Sequence, residues 1–215
     1  LMAFTPDRRT GDYLLWTDTW SSLKRLGAGL GISTALALMI GIGIGILPFL
    51  RALLLHFVSF VSMVPPLALL PILFISMGLG EGSKIALIVI GVAPIMIRDL
   101  AQTVLALPRE QIVKAETLSA SSWLIAIRIV LPQAMPRLLG SLRLQLGPAL
   151  LFLIAAEAIS ADSGLGYRIF LVRRYLAMDV ILPYVAWIAI LAAITDLLLS
   201  WSSRRLFGWA HRTER

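Results

Sequence analysis

Residues 26–50 read LGAGLGISTALALMIGIGIGILPFL, a run without a charged or titratable side chain. As a helix it is long enough to cross the hydrocarbon core of a bilayer, which takes about 20 predominantly apolar residues. Working outward, a second run fills 52–80, where His56 is the one titratable group, and Arg51 separates the two as a tight loop. A third begins near Ser83 and passes Arg98. A fourth covers about 137–159 and holds Arg143 and Glu157, and a fifth covers about 180–200 and holds Asp196. Lipid offers the backbone no hydrogen-bond partners, so each run is expected to be helical. The sequence therefore predicts an all-α, polytopic membrane helix bundle with five spans. A polar segment over 1–25 is expected to carry an interfacial helix with Trp16, Trp20 and Leu23 on one face. The transmembrane domain is expected over 26–209, and a tail over 210–215.

Composition points the same way. The chain is 59% hydrophobic and 14% charged with a mean hydropathy of +0.88, whereas soluble domains are about 45–50% apolar and about 25% charged. The net charge of +7 fits loops touching anionic headgroups better than nucleic acid. There is no cysteine, which excludes disulfides and thiolate metal sites. His56 and His211 have no ligand pattern around them, so no metal site is expected, and no nucleophile–base set marks a catalytic centre. The chain opens Leu1-Met2-Ala3 without a signal-peptide pattern. The Lys and Arg balance of the loops favours a cytoplasmic C-terminus, and one more span ahead of Leu1 would return the N-terminus to that side.

The longest polar stretch between spans is about 107–133. Residues 108–136 read PREQIVKAETLSASSWLIAIRIVLPQAMP. Pro108 suits a helix start, and Arg109 to Ala120 mixes charge with Ile112, Val113, Ala115 and Leu118. This predicts a short amphipathic helix outside the spans, either docking in a partner's groove or lying on headgroups. Pro132 and Pro136 are expected to restrict the chain before the fourth span.

This stretch resembles the cytoplasmic signature loop of binding-protein-dependent ABC importer permeases. That loop reads Glu-Ala-Ala, three residues, Gly, nine residues, Ile, one residue, Leu-Pro. Ala115 falls on the second Ala, and Ile129, Leu131 and Pro132 fall on the ending. Val113 stands where the family has Glu, and Ser119 where it has Gly. Val64-Pro65-Pro66 with Pro71, Gly78-Leu79-Gly80 with Ser83-Lys84, Gly140 to Arg143, Ala156-Glu157, and Ser163-Gly164-Leu165-Gly166-Tyr167 resemble the sulfonate, taurine and nitrate branch. The similarity runs from about Trp20 to Trp209. Members typically carry a further N-terminal span, so a sixth is expected to be missing here.

The resemblance implies a transmembrane permease subunit for a small polar solute, sulfonate-, taurine- or nitrate-like, or urea- or guanidine-like. It implies a bacterial inner-membrane location, a second permease subunit forming a homodimer, a periplasmic or lipid-anchored solute-binding protein, and cytoplasmic ATPase subunits. No cofactor is expected in this chain, which lacks the Gly-x-x-x-x-Gly-Lys-Ser/Thr loop. ATP and Mg would be bound by the partner ATPase, so the chain itself would not be an enzyme. Arg109, Glu110, Val113, Lys114, Ala115 and Glu116, then Leu118, Ser119, Ala120 and Ser121, and then Ile129, Leu131 and Pro132 would form the ATPase-coupling element. Ser119 adds a Cβ where helix and partner meet, which predicts a looser or differently tilted contact than in the family.

Pathway or gate residues are sought where spans are broken or charged. Pro65 and Pro66 kink the second span, and Met63 and Met77 flank the kink. Arg143 and Glu157 are fourteen residues apart, so on one straight helix they point the same way about 21 Å apart. Glu157 would disfavour an anion moving past it. Rival readings are an intramembrane enzyme built on Arg143, Glu157 and Asp196, and a non-transporting membrane scaffold that docks through the 108–136 loop.

Overall fold

The computed structural model describes residues 13–210, and the described chain is helical throughout. In order, the helices are α1 (Leu14–Ile46), α2 (Pro48–Val61), α3 (Pro66–Met77, opening with a 3-10 turn), α4 (Glu81–Leu105) and α5 (Arg109–Thr117). They continue with α6 (Ser122–Leu144), α7 (Leu146–Ser160), α8 (Leu165–Arg173) and α9 (Met178–Leu206). By length and composition α1, α4 and α9 each suffice to cross a membrane, and the pairs α2 with α3, bent by 84°, and α6 with α7, bent by 43°, do so where each bent pair is one span. The candidate spans therefore number three to five, the upper figure being the one the hydropathy pattern predicts.

The boundaries differ from the sequence expectation in instructive ways. The first span starts at Leu14 rather than near Leu26, so Trp16, Trp20 and Leu23 lie on the same continuous helix as the apolar run. No separate interfacial helix precedes it among the described residues. Residues 1–12 of that polar segment, and the tail with His211, lie outside them. The first turn falls at Leu47, which is extended at φ −96° and ψ 112°, not at Arg51. Pro48 is the cause, because it disfavours helix in the residue before it and suits a helix start itself. Arg51 sits inside α2 and reaches back to the end of α1, donating from Nη2 to the Gly45 carbonyl at 2.8 Å.

The second span breaks at Val64-Pro65-Pro66, where Pro65 is extended. The helix that leads into the fourth span starts at Ser122, so Ile129, Leu131, Pro132 and Pro136 lie on a helix continuous with the apolar run. Pro132 is tolerated because Ala126–Val130 winds as a π-turn. There the Leu131 N–H reaches the Ala126 carbonyl five residues back, which relieves the clash proline makes with an ordinary turn. A further break at Gln145 ends α6.

The chain forms two compact units. The first comprises residues up to Gly31, Pro65–Gly91 and Leu146–Thr195. Its buried apolar side chains include Leu26, Leu87, Ile88, Phe152 and Leu153. Gly91 is required there, since a Cβ would overlap the Phe152 ring. The second comprises Ile32–Val64, Val92–Gln145 and residues from Asp196 onward. It buries Ile44, Val92, Met96, Leu100, Val130 and Leu138. In this unit a Cβ on Gly41 would lie 3.0 Å from the Ile97 carbonyl, so the small residue permits close helix approach.

Candidate functional site

In the first unit, Asp18, Ser22 and Arg25 recur at i, i+4 and i+7 on α1 and so share one face. All three are buried. Opposite them, Glu157 on α7 has no exposed surface. Its Oε1 accepts hydrogen bonds from Arg25 Nη1 at 2.7 Å and Ser22 Oγ at 2.8 Å, and its Oε2 accepts one from the Gly166 N–H at 2.9 Å. Arg25 also donates to the Ser163 carbonyl at 2.7 Å and grips Glu81 through Nε and Nη2. Lys84 reaches Glu81 one turn along α4, at 3.2 Å.

The same face of α1 holds the start of α8. The Gly164 N–H donates to Asp18 Oδ1 at 3.0 Å and the Leu165 N–H to Ser22 Oγ at 2.9 Å. With Glu157 on Gly166, each of these early amides of α8 has a side-chain acceptor, and two of the acceptors are carboxylates where the helix dipole favours negative charge. Asp18 additionally binds Arg168 Nε at 2.8 Å and accepts from Tyr184 Oη at 3.3 Å. Burial acts to lower the Arg168 pKa, but the hydrogen bond to Asp18 and that carboxylate's attraction raise it above the ordinary arginine value.

This cluster contains Asp18, Glu81 and Glu157 against Arg25, Lys84 and Arg168, so its formal charge sums to zero. The expectation that Glu157 opposes a passing anion is therefore corrected: an arginine in direct contact neutralises it. Gly164-Leu165-Gly166-Tyr167 forms the start of α8. Gly164 is the N-cap, at φ 131°, and the next residues are helical.

In the second unit, Arg143 binds Asp196 through Nε at 2.7 Å and Nη2 at 2.8 Å. Glu157 takes no part in this pair. The straight-helix geometry assumed for Arg143 and Glu157 fails because α6 ends at Gln145, between them. Arg143 and Asp196 bond to each other, whereas Glu157 bonds to Arg25, Ser22 and Gly166. Met63 and Met77 are exposed, as is Pro65, with Pro66 half-buried.

Residues 109–117 form the short helix that the signature loop predicts. Arg109, Ile112, Val113 and Glu116 line a groove also bounded by Leu47, Arg51, Leu105 and Ile125. Glu110, Lys114 and Leu118 are exposed and lie on the other side of α5 by helical spacing. The helix closes with two bonds, from the Ala120 N–H to the Ala115 carbonyl at 3.0 Å and from the Ser119 N–H to the Glu116 carbonyl at 2.9 Å. This pattern needs a left-handed residue, and Ser119 supplies it at φ 60°. The position at which the family loop carries glycine is thus the one at which this backbone favours it. Ser119→Gly is expected to stabilise the end of α5 by about 1 kcal/mol. Hydrogen exchange of the amides from 115 to 120 should slow by about fivefold, and unchanged exchange would refute the capping account.

Sequence reading missed Asp18, Ser22, Arg25, Glu81, Lys84 and Arg168 as members of one site. The i, i+4, i+7 spacing on α1 was the available signal. A hydropathy window rejects this stretch because it counts charges without seeing that they are paired.

A sequence profile of the family described as binding-protein-dependent transport system inner membrane component matches residues 31–208. The taurine transport system permease protein TauC of Escherichia coli is 37% identical over 199 residues, covering 92% of this chain and 72% of TauC. The putative aliphatic sulfonates transport permease protein SsuC of the same organism is 32% identical over 147 residues, covering 68% of this chain and 56% of SsuC. The inward-facing MetNI methionine ABC transporter has a chain that superposes with a TM-score of 0.73 at 18% identity, covering 90% of this chain and 94% of that one. That likeness establishes the fold.

Proposed function

Because the chain belongs to the family of binding-protein-dependent transport system inner membrane components, being an ABC importer permease, we propose that α5 is the helix through which a partner ATPase drives it. The observation that carries this reading is the nine-residue helix Arg109–Thr117, held outside the spans and presenting Glu110, Lys114 and Leu118 away from its own groove. ATP and Mg would bind to the ATPase subunits, and hydrolysis there would rock the spans. With α5 cytoplasmic, α4 runs inward from Glu81 to Leu105 and α9 runs inward from Met178 to Leu206. The C-terminus is then cytoplasmic, with Arg204 and Arg205 at anionic headgroups.

A solute-binding protein would deliver its cargo at the outer face, the side from which α4 starts at Glu81. A second copy of the chain would complete the pathway. The similarity to taurine and aliphatic sulfonate permeases favours a small sulfonate-bearing or comparable polar solute, and the electroneutral cluster raises no barrier against an anion. Arg143 with Asp196 is the polar pair proposed for the pathway. We place the direct contact on Glu110, Lys114, Leu118, Ser119, Ala120 and Ser121, with Ala115 between the two faces of α5; Arg109, Val113 and Glu116 line the groove, and Ile129, Leu131 and Pro132 lie on α6.

The absence of native cysteine gives a clean test. A cysteine at Ala120 or Ser121 should cross-link to one in the groove of the ATPase, with a yield that changes on adding ATP. If no position from Arg109 to Ser122 cross-links while both proteins are folded in the same membranes, α5 is not a docking element.

A further inference from the structure

The groove beneath α5 is not used by the coupling reading. It has a volume of about 690 Å³, within the range of about 300–1,000 Å³ that holds small ligands. Its floor and walls are the end of α1, the start of α2, the end of α4 and the start of α6. These are span termini, so the groove opens at the level of lipid headgroups. Leu105, Ile112, Val113 and Ile125 give it an apolar side. Arg51 and Arg109 give it two cations against the single carboxylate of Glu116.

Neither arginine is neutralised by an acid among the described residues, since the ion pairs there involve other groups. Arg51 uses Nε and Nη2 on the carbonyls of Ile44 and Gly45, which leaves Nη1 to donate elsewhere. Arg109 is exposed, and its whole guanidinium is available. Hydrocarbon on one side and unneutralised guanidinium groups at the other match an amphiphile with an anionic head.

We propose that this groove binds an anionic phospholipid, its phosphate on Arg51 and Arg109 and its acyl chain along Ile112, Val113 and Leu105. Basic pockets between span ends recognise anionic headgroups by the same chemistry. The lipid braces the groove side of α5 against the spans and leaves the opposite side free for the ATPase. Assignment to the cytoplasmic leaflet rests on the coupling reading, whereas the lipid contact itself does not.

The test uses the permease assembled with its ATPase in phosphatidylcholine nanodiscs containing a trace of photoactivatable phosphatidylglycerol. Cross-linked peptides are mapped by mass spectrometry. Labelling is expected within residues 105–116, displaced by unlabelled phosphatidylglycerol and not by added phosphatidylcholine. Combining Arg51→Gln with Arg109→Gln should lower the yield about twenty-five-fold, about fivefold for each charge. Arg109→Gln alone, which breaks no side-chain hydrogen bond or ion pair among the described residues, should give the fivefold loss without disturbing the fold, and Arg204→Gln should change nothing in the groove. Equal displacement by phosphatidylcholine, full labelling of the double variant, or labelling only without the ATPase would each overturn the proposal. The cysteine cross-link at Ala120, read in the same preparation, reports separately on coupling, so the two ideas fail independently.

Discussion

Arg25→Ala is expected to destabilise the protein by about 3–5 kcal/mol, the usual consequence of removing one partner of a buried ion pair. Glu157 has no exposed surface and would keep only Ser22 and the Gly166 N–H, too little to hold a carboxylate charge away from water. The partner Glu81 behaves differently, because its side chain is 59% exposed and water replaces the guanidinium. Glu81→Gln is therefore expected to cost about 0–1 kcal/mol. Replacing Arg25 with Met together with Glu157→Gln should recover much of the single-variant loss, since no charge is then left buried. Unfolding in mixed detergent micelles measures all of these variants. Equal losses for Arg25→Ala and Glu81→Gln would show that the buried edge of the cluster is not the stronger one.

The global architecture was legible because the bilayer imposes a simple rule, long apolar helices, on every span. The runs at 26–50 and 180–200 reveal themselves by that rule alone. Span ends were less legible, because proline acts on its neighbours in ways that depend on the local winding. Pro48 ends one helix by making Leu47 extended, while Pro132 is absorbed in a helix by a π-turn. The two prolines look alike in sequence. The buried cluster was least legible. Its pairings join Asp18 to Arg168 and Arg25 to Glu157, separated by 150 and 132 residues, and nothing local in the chain encodes such partners. The α5 region lies between these extremes. Its helix follows from composition, whereas the division of its faces, with Arg109, Val113 and Glu116 on the groove and Glu110, Lys114 and Leu118 opposite, depends on how α5 packs against the ends of the neighbouring helices.

Gly164→Ala should cause a comparably large loss, for two reasons that add at one atom. At φ 131° and ψ 161° the backbone occupies a region that L side chains rarely enter, at a cost of about 1–3 kcal/mol. The new Cβ would also lie 2.5 Å from Glu157 Cδ and 2.6 Å from each carboxylate oxygen. Glu157 cannot retreat without releasing Arg25, Ser22 or the Gly166 N–H, so the strain passes into the ion pair and the start of α8. A combined loss of about 3 kcal/mol or more is expected, with the α8 amides exchanging faster. Gly78→Ala separates the two causes. Gly78 shares the glycine-favouring backbone, φ 76° and ψ 179°, but nothing lies within 4 Å of its Cβ position, so that variant should lose only the backbone part, about 1–3 kcal/mol. Matching losses at the two glycines would mean that backbone conformation alone explains Gly164, and that Glu157 is free to give way. A much larger loss at Gly164, accompanied by impaired solute uptake that Gly78→Ala does not show, would tie the capped start of α8 to transport.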